Sequence, residues 1–214
     1  MKHEIELQSH SIVAVGDLNP AIFQPAWFAG EGLINQGEAQ AAQIQMISAQ
    51  AALFEVDWLS VQVLPDRFVA TTTSEAYFQH LHDLVAATFS RLVHTPIRML
   101  GINYTCHCRL DDSQAWSRLS DILAPKAPWF GLLDSPGVHS LTMEGMRPEG
   151  PNGFLRIRVE PSVRVKSGLF IDINNHYDVA EEVAGCRAML STLSKEWSGA
   201  VSSENVLGKL LNDD

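Results

Sequence analysis

The clearest alternation of apolar and polar positions in the chain lies between residues 59 and 110. Residues 59–64 alternate with a period of two, which is typical of a half-buried strand. Pro65-Asp66 then favours a tight turn, because proline presets the backbone angle of the second turn residue. Residues 68–73 are rich in β-branched side chains and complete a predicted antiparallel hairpin.

A helix and a long strand are predicted after this hairpin. Ser74 is a candidate helix cap, and Thr95-Pro96 ends the helix, because a proline disfavours helical geometry in the preceding residue. The apolar face of the helix would comprise Tyr77, Leu81, Leu84, Val85, Thr88 and Leu92. Residues 97–110 alternate again, with apolar side chains at even positions. The stretch therefore predicts a ββαβ unit.

The remaining sequence predicts further elements on the same criteria. Strands are expected at 4–15, on both sides of a bend at 49–52, and at 138–146, 154–160 and 163–174. A helix through the alanine-rich segment 49–52 is the alternative to the bend. Helices are expected to begin at Asn19-Pro20, to span 112–123 and 203–211, and to begin at Asp178, with Glu181 completing a capping box.

Two segments between these elements have their own character. Residues 30–40 contain three glycines without a periodic pattern, so they are predicted to form a loop. Residues 21–28 are dense in aromatic side chains and are expected to form a hydrophobic plug that closes the sheet. A docking surface is the alternative interpretation of the aromatic segment.

These elements define an α+β class, with antiparallel sheet covered by helices on one face. The second half of the chain repeats the order of hairpin and helix, so a pseudo-duplication of ββαβ halves, ferredoxin-like or TBP-like, is expected. The halves would span residues 1–123 and 138–214, joined by a proline- and glycine-containing connector at 124–137 in one compact unit.

Composition narrows the classes of partner. The chain has 214 residues and a net charge of −10, which disfavours nucleic-acid binding because counterion displacement requires basic groups. Four basic residues cluster in sequence, but a solvated strand face explains them most simply: Arg156, Arg158, Arg164 and Lys166. The sequence has no membrane span and begins without the apolar core of a signal peptide. With three cysteines and no disulfide framework, a cytoplasmic location is expected.

Three segments resemble a bacterial family of sporadically distributed proteins: FVATTTSEAYFQHL, RMLGINYTCHCRL and GLFIDINNHYDV. The positions that would match the family are Tyr77, Gly101, Asn103, Tyr104 and Asp172. Asn174 stands where the family usually has an aspartate. The resemblance covers residues 59–178 and implies a bacterial α+β fold, but it implies no activity.

Two motifs resemble metal sites but lack the ligand arrangement that the metal requires. In Cys106-His107-Cys108, strand alternation places the histidine on the face opposite both cysteines, so the three cannot converge on zinc. The cysteines are therefore predicted to be buried and metal-free. The segment 172–178 imitates a calcium loop but lacks the required glycine and glutamate, which predicts a strand end followed by a helix cap. A polar or metal site at Asp172 and His176 is the alternative.

Without a nucleophile elbow or another catalytic motif, the sequence favours a non-enzymatic binding or assembly module that uses a sheet face or edge. Protein partners are expected, a second copy of the chain among them, and no cofactor is expected. The candidate binding residues are Asn103, Thr105, His107, Arg109, Asp172 and His176. Arg109 is the predicted anchor, although a strand face of this kind can simply face water.

Two other functions are kept as alternatives. One is a metal-dependent hydrolase that uses Asp172, His176 and His107. The other is a nucleic-acid binder on a double ferredoxin-like scaffold, which the acidic balance of the chain disfavours.

Overall fold

The architecture is one antiparallel sheet covered by helices. The computed structural model describes residues 3–110, 114–146, 152–179, 185–200 and 208–210. The strands within these residues are β1 (His3–Gly16), β2 (Gln43–Ile47), β3 (Ala52–Val56), β4 (Leu59–Leu64), β5 (Arg67–Thr72), β6 (Ile97–Leu110), β7 (Leu141–Met146), β8 (Gly153–Pro161) and β9 (Gly168–Asp178). They form one sheet of nine strands among the described residues, in the order β2-β3-β4-β5-β1-β6-β9-β8-β7.

The helices cover the face of the sheet that carries the even positions of β6. The described helices are α1 (Pro25–Gly30), α2 (Gln36–Ala41), α3 (Phe78–Arg91), α4 (Ala115–Leu123) and α5 (Gly185–Ala200). Side chains from α3 and α5 pack against one half of this face, and α4 packs against the other half. The α+β class predicted from the sequence is therefore confirmed.

The pairing of β1 with β6 defines the centre of the sheet. Each of these strands has 14 residues. Because β1 also pairs with β5, it lies between β5 and β6, and α3 crosses over it in a split β-α-β arrangement. On the other side β6 pairs with β9, so both predicted halves contribute to one continuous sheet. A duplication of the halves stays a prediction.

The aromatic segment lies inside the core, as the plug interpretation predicted. Phe23 and Phe28 are buried, whereas Trp27 is half-buried. The Phe23 ring lies 5.5 Å from that of Phe68, and the Phe28 ring lies 5.6 Å from that of Phe54. Tilted and edge-on contacts of this kind add stabilisation beyond the burial of apolar area.

The loop predicted at 30–40 is wrong for its second half, because α2 occupies residues 36–41. Asn35 and Glu38 form a capping box: Asn35 Oδ1 accepts from the Glu38 backbone N–H at 2.8 Å, and Glu38 Oε2 accepts from that of Asn35 at 2.8 Å. These two hydrogen bonds satisfy amide groups that the first turn would otherwise leave unpaired. Three glycines in this segment favour a loop, but the capping box of Asn35 and Glu38 stabilises a helix after Asn35.

The strand end and helix start predicted between Asn174 and Asp178 are also wrong. β9 continues to Asp178, because Asn175 and Tyr177 are buried and pair with Ile102 and Leu100 of β6. A calcium-loop conformation is excluded for the same reason. Glu181 and most of the helix predicted at 203–211 lie outside the described residues.

The residues at the start of α3 differ from the prediction in their capping and in the direction of the Tyr77 side chain. The Ser74 side chain makes no capping hydrogen bond, and a short 3-10 turn at Glu75–Tyr77 precedes the helix. Tyr77 therefore points outward, 38% exposed, and its ring stacks on that of Trp58 at 5.1 Å. Leu84 is buried as predicted.

These positions predict unequal effects of truncation in α3. Leu84→Ala should lower the free energy of unfolding by about 2–5 kcal/mol, because it leaves a cavity beneath the helix. Tyr77→Ala should cost less than half as much, because it removes a half-exposed stacking contact. Urea unfolding of both variants measures the difference, and equal midpoint shifts would contradict the orientation of Tyr77 described above.

His10 is a buried titratable group on the helix-covered face. It is 1% exposed, and its ring lies 3.7 Å from that of Phe78 and 4.6 Å from that of Tyr104. Among the described residues, neither ring nitrogen has a hydrogen-bond partner. Burial lowers the pKa of His10 to about 4, because the aromatic surroundings cannot solvate an imidazolium.

The low pKa of His10 predicts a loss of stability in acid. The unfolded chain binds a proton at this histidine near pH 6.5, whereas the folded protein does so only near pH 4. The contribution of neutral His10 to the free energy of unfolding is therefore fully present above pH 6.5. It is lost as the pH falls between these values, by about 2 kcal/mol at pH 5. Unfolding experiments at pH 7 and pH 5 should show this loss in the wild type and in His94→Ala. His10→Leu should lack it, and an unchanged slope in His10→Leu would refute the assignment.

Candidate functional site

All six predicted binding residues lie on one face of the sheet, the face opposite the helices. We call it the open face. On β6 it carries the odd positions, and on β9 the even positions, as the register pairs Asn103 with Asn174 and Thr105 with Asp172. The open face thus brings together residues that are far apart in sequence: Asn103, Thr105, His107, Arg109, Asp172 and His176.

A surface depression surrounds His107 on this face. One part, of about 330 Å³, is lined by Arg158 and Phe170 among others. A second part, of about 410 Å³, extends toward β1. Thr105, His107 and Arg164 line both parts, so we call the whole depression the His107 groove.

Ser162 fixes the orientation and tautomer of His107. The Ser162 hydroxyl oxygen accepts hydrogen bonds from the backbone N–H groups of Arg164 at 3.1 Å and Val165 at 2.8 Å. The hydroxyl proton is then available for His107 Nδ1, which lies 2.8 Å away. This pattern assigns the ring proton to Nε2. His107 therefore lines the groove as a hydrogen-bond donor.

The pKa of His107 is lowered, first by partial burial and then by the positive charge of Arg164, while Glu160 acts in the opposite direction. The ring is therefore neutral at pH 7. His107 should therefore gain a proton only below the usual histidine value of about 6.5. The Phe170 ring, 4.7 Å from His107, forms an apolar wall beside it.

The arginines of the open face differ in their partners. Arg109, the predicted anchor, forms an ion pair with Glu6 of β1. Arg158 donates to Asp172 at 3.3 Å and lies over the Phe170 ring. Arg164 is exposed and, within the part of the chain that the structure describes, has no carboxylate partner. Arg164 is therefore the uncommitted cation of the groove.

The three residues of the hydrolase alternative do not converge. Asp172 and His176 are four residues apart on one extended strand, which separates them by about 13 Å. Asp172 is bonded to Arg158, and His176 Nε2 lies 3.2 Å from Asp178 Oδ1. Among the described residues, no group of three or more histidine, cysteine, aspartate and glutamate side chains could hold a metal ion.

The sequence prediction missed the residues that shape the groove around His107. Arg158 and Arg164 belonged to a basic cluster that was assigned to a solvated strand face. Ser162 and Phe170 gave no signal, because their roles depend on the return of the chain between β8 and β9 beside β6. The cluster of arginines is the sequence feature from which a cationic groove could have been predicted.

Cys106 and Cys108 lie on the opposite, helix-covered face, as strand alternation predicted. Both side chains are fully buried, and their Sγ atoms are 3.5 Å apart. The pKa of the Cys106 thiol is raised, because Cys108 contacts it and because burial disfavours a thiolate. Cys186, in the first turn of α5 and buried against α3, has its pKa raised to about 11 by burial.

These environments predict slow modification of the native protein by a thiol reagent. All three cysteines should react at least about 100-fold more slowly than an exposed thiol, because access to each requires opening of the core. At Cys106 and Cys186 the raised pKa also disfavours the thiolate, whereas the contact with Cys106 lowers the pKa of Cys108, so its protection depends on burial alone. A Ser194→Cys variant supplies the exposed reference on α5. Rapid labelling of Cys106 or Cys108 in the folded protein would show that α4 does not cover them.

The chain was also compared with known proteins. No protein-family model matches it, and neither does any curated protein. Among the described helices, none has the length and apolar character needed to cross a membrane. The open face must therefore be interpreted from its own chemistry.

Proposed function

We propose that this protein is a non-enzymatic binding module that holds a carboxylate-bearing segment of a partner protein in the His107 groove. The observation that carries the proposal is Arg164, a cation without a carboxylate partner in the described residues, at the point that both parts of the groove share. The neighbouring Nε2–H of His107 supplies a second donor.

A carboxylate is the group that suits these donors. A guanidinium can hold a carboxylate through two parallel hydrogen bonds, and a neutral imidazole N–H can add a third. Phe170 gives the groove an apolar wall on which the methylene groups of a glutamate can pack. Aspartate and glutamate side chains of an extended peptide combine both features.

The charges around the groove support a local rather than a long-range attraction. Arg109 pairs with Glu6, and Arg158 lies between Asp172 and Glu160. The acidic and basic side chains around the groove therefore balance, and Arg164 is the arginine that has no carboxylate partner among the described residues. The chain as a whole carries a net charge of −10 and repels acidic partners at a distance. Binding should therefore be short-ranged, with a slow approach that added salt accelerates.

Asp172, His176 and His107 are held apart and Asp172 is bonded to Arg158, which favours binding over the hydrolase alternative. The three cysteines, all unpaired, suit a reducing compartment, and we place the protein in the bacterial cytoplasm in line with the family resemblance. The pseudo-duplicated scaffold also belongs to this proposal. It would present two similar sheet halves on which an extended partner could lie.

The test uses two fluorescein-labelled octapeptides, one alternating glutamate with valine and one alternating glutamine with valine. Fluorescence anisotropy should show tighter binding of the glutamate peptide by at least about 10-fold, as expected for one charge-assisted contact. Arg164→Ala should abolish this preference. Arg187→Ala, which removes an exposed arginine from α5 on the other side of the sheet, should retain it.

Acidification adds a second criterion to the same assay. Protonation of His107 adds a positive charge, so affinity for the glutamate peptide should rise as the pH falls below the usual histidine value of about 6.5, and should not rise in His107→Ala. Equal binding of both peptides by the wild type would overturn the proposal. Tight, Arg164-dependent binding of a labelled oligouridylate would favour the nucleic-acid alternative instead.

A further inference from the structure

A second surface, at the β7 edge of the sheet, carries exposed apolar side chains. Trp129, Phe130, Leu132 and Leu133 are 52%, 66%, 77% and 55% exposed, and Met143 of β7 is 64% exposed. An apolar groove of about 320 Å³ lies beside them, between Trp129, Leu133 and Leu141. Contiguous apolar surface of this kind marks interaction sites. We call these residues and the groove the β7 patch.

We propose that a second copy of the chain covers the β7 patch. In this dimer the two β7 strands pair antiparallel across a two-fold axis, and the exposed Phe130 and Leu132 of each copy enter the apolar groove of the other. The proposal concerns a surface separate from the His107 groove and does not depend on it.

The backbone of β7 supports this arrangement. Among the described strands, β7 pairs only with β8, so its other edge presents N–H and C=O groups that can pair with a further strand. Antiparallel pairing of two identical strands has two-fold symmetry, as a closed homodimer requires. The pairing of β7 with β8 is regular over six residue pairs, so no register shift interrupts this edge.

The opposite edge of the sheet is a poorer candidate. β2 also carries exposed apolar residues, Ile44 at 56% and Met46 at 50%. However, its register with β3 is shifted between these two residues, which distorts the strand and disfavours addition of another one. The sheet therefore has one regular edge and one irregular edge.

The shape of the β7 patch favours a copy over a foreign partner. Protruding side chains and a groove lie next to each other on one surface, and a two-fold axis brings each feature opposite its complement. A foreign partner would have to supply both complementary shapes. The single chain already supplies them.

Charge supports the same occupant. Two copies that each carry a net charge of −10 repel one another unless the contact region is uncharged. Residues 127–133 contain no charged side chain. Beside them, Arg156 pairs with Glu144 at 2.6 Å and Lys126 with Asp121 at 2.6 Å, whereas the exposed Asp134 directly follows the segment. The patch is thus a surface on which two acidic copies can meet.

Sedimentation equilibrium of the full chain tests the proposal. The wild type should show twice the monomer mass of 23.6 kDa at micromolar concentrations. Leu132→Glu should weaken dimerisation by at least about 100-fold, because it places a carboxylate in an apolar groove. Met46→Glu, the matched change at the β2 edge, should leave the dimer intact.

Hydrogen exchange of the wild-type protein keeps the test independent of variant folding. Amides of β7 should become more protected as the protein concentration rises through the dimerisation range, while amides of β2 should not change. A monomer at all concentrations up to about 100 μM, where even weak specific dimers form, would overturn the proposal. A dimer that Met46→Glu disrupts and Leu132→Glu does not would overturn it as well.

Discussion

The register between β1 and β6 is the constraint on which the rest of the structure depends. Pairs such as Ile12 with Ile102 and His10 with Tyr104 fix which side chains of both strands face the helices. Because side chains alternate along a strand, a slip of one residue would expose the core and bury the polar row that contains His107. The helix-covered core and the open face are thus two consequences of one pairing, and β9 extends both through its own register with β6.

The sequence predicted the features that local periodicity encodes. The strand from Ile97 to Leu110 and the opposite orientations of Cys106 and His107 follow from alternation within a few residues. The extension of β9 through Asn175 did not follow, because it depends on pairing with a strand about 70 positions earlier. Tyr77 was misassigned because a 3-10 turn, rather than the helix itself, contains this residue. The helix α2 was missed because its capping box outweighs the loop propensity of the glycines around it.

The candidate site was predictable only in part, for a related reason. Alternation placed the polar positions of β6 together, but it could not show that Glu6 neutralises Arg109 from a neighbouring strand. Nor could it show that the return of the chain between β8 and β9 brings Ser162 and Arg164 beside His107. An arginine can bind an external carboxylate only if no carboxylate of the protein already pairs with it. Tertiary structure determines whether such a partner is present. The helix-covered face of the sheet provides stability, the open face is the proposed ligand-binding surface, and the β7 edge is the proposed surface for self-association.

The proposed binding site requires that Arg164, rather than the already paired arginines, receives a carboxylate on the open face. The most direct measurement is an NMR titration of the arginine Nε–H resonances with the glutamate-containing octapeptide. The Arg164 resonance should shift with saturation, while those of Arg109 and Arg158 should change little, because Glu6 and Asp172 already pair with these arginines. A saturating shift of Arg109 with no change at Arg164 would show that the carboxylate binds elsewhere on the open face.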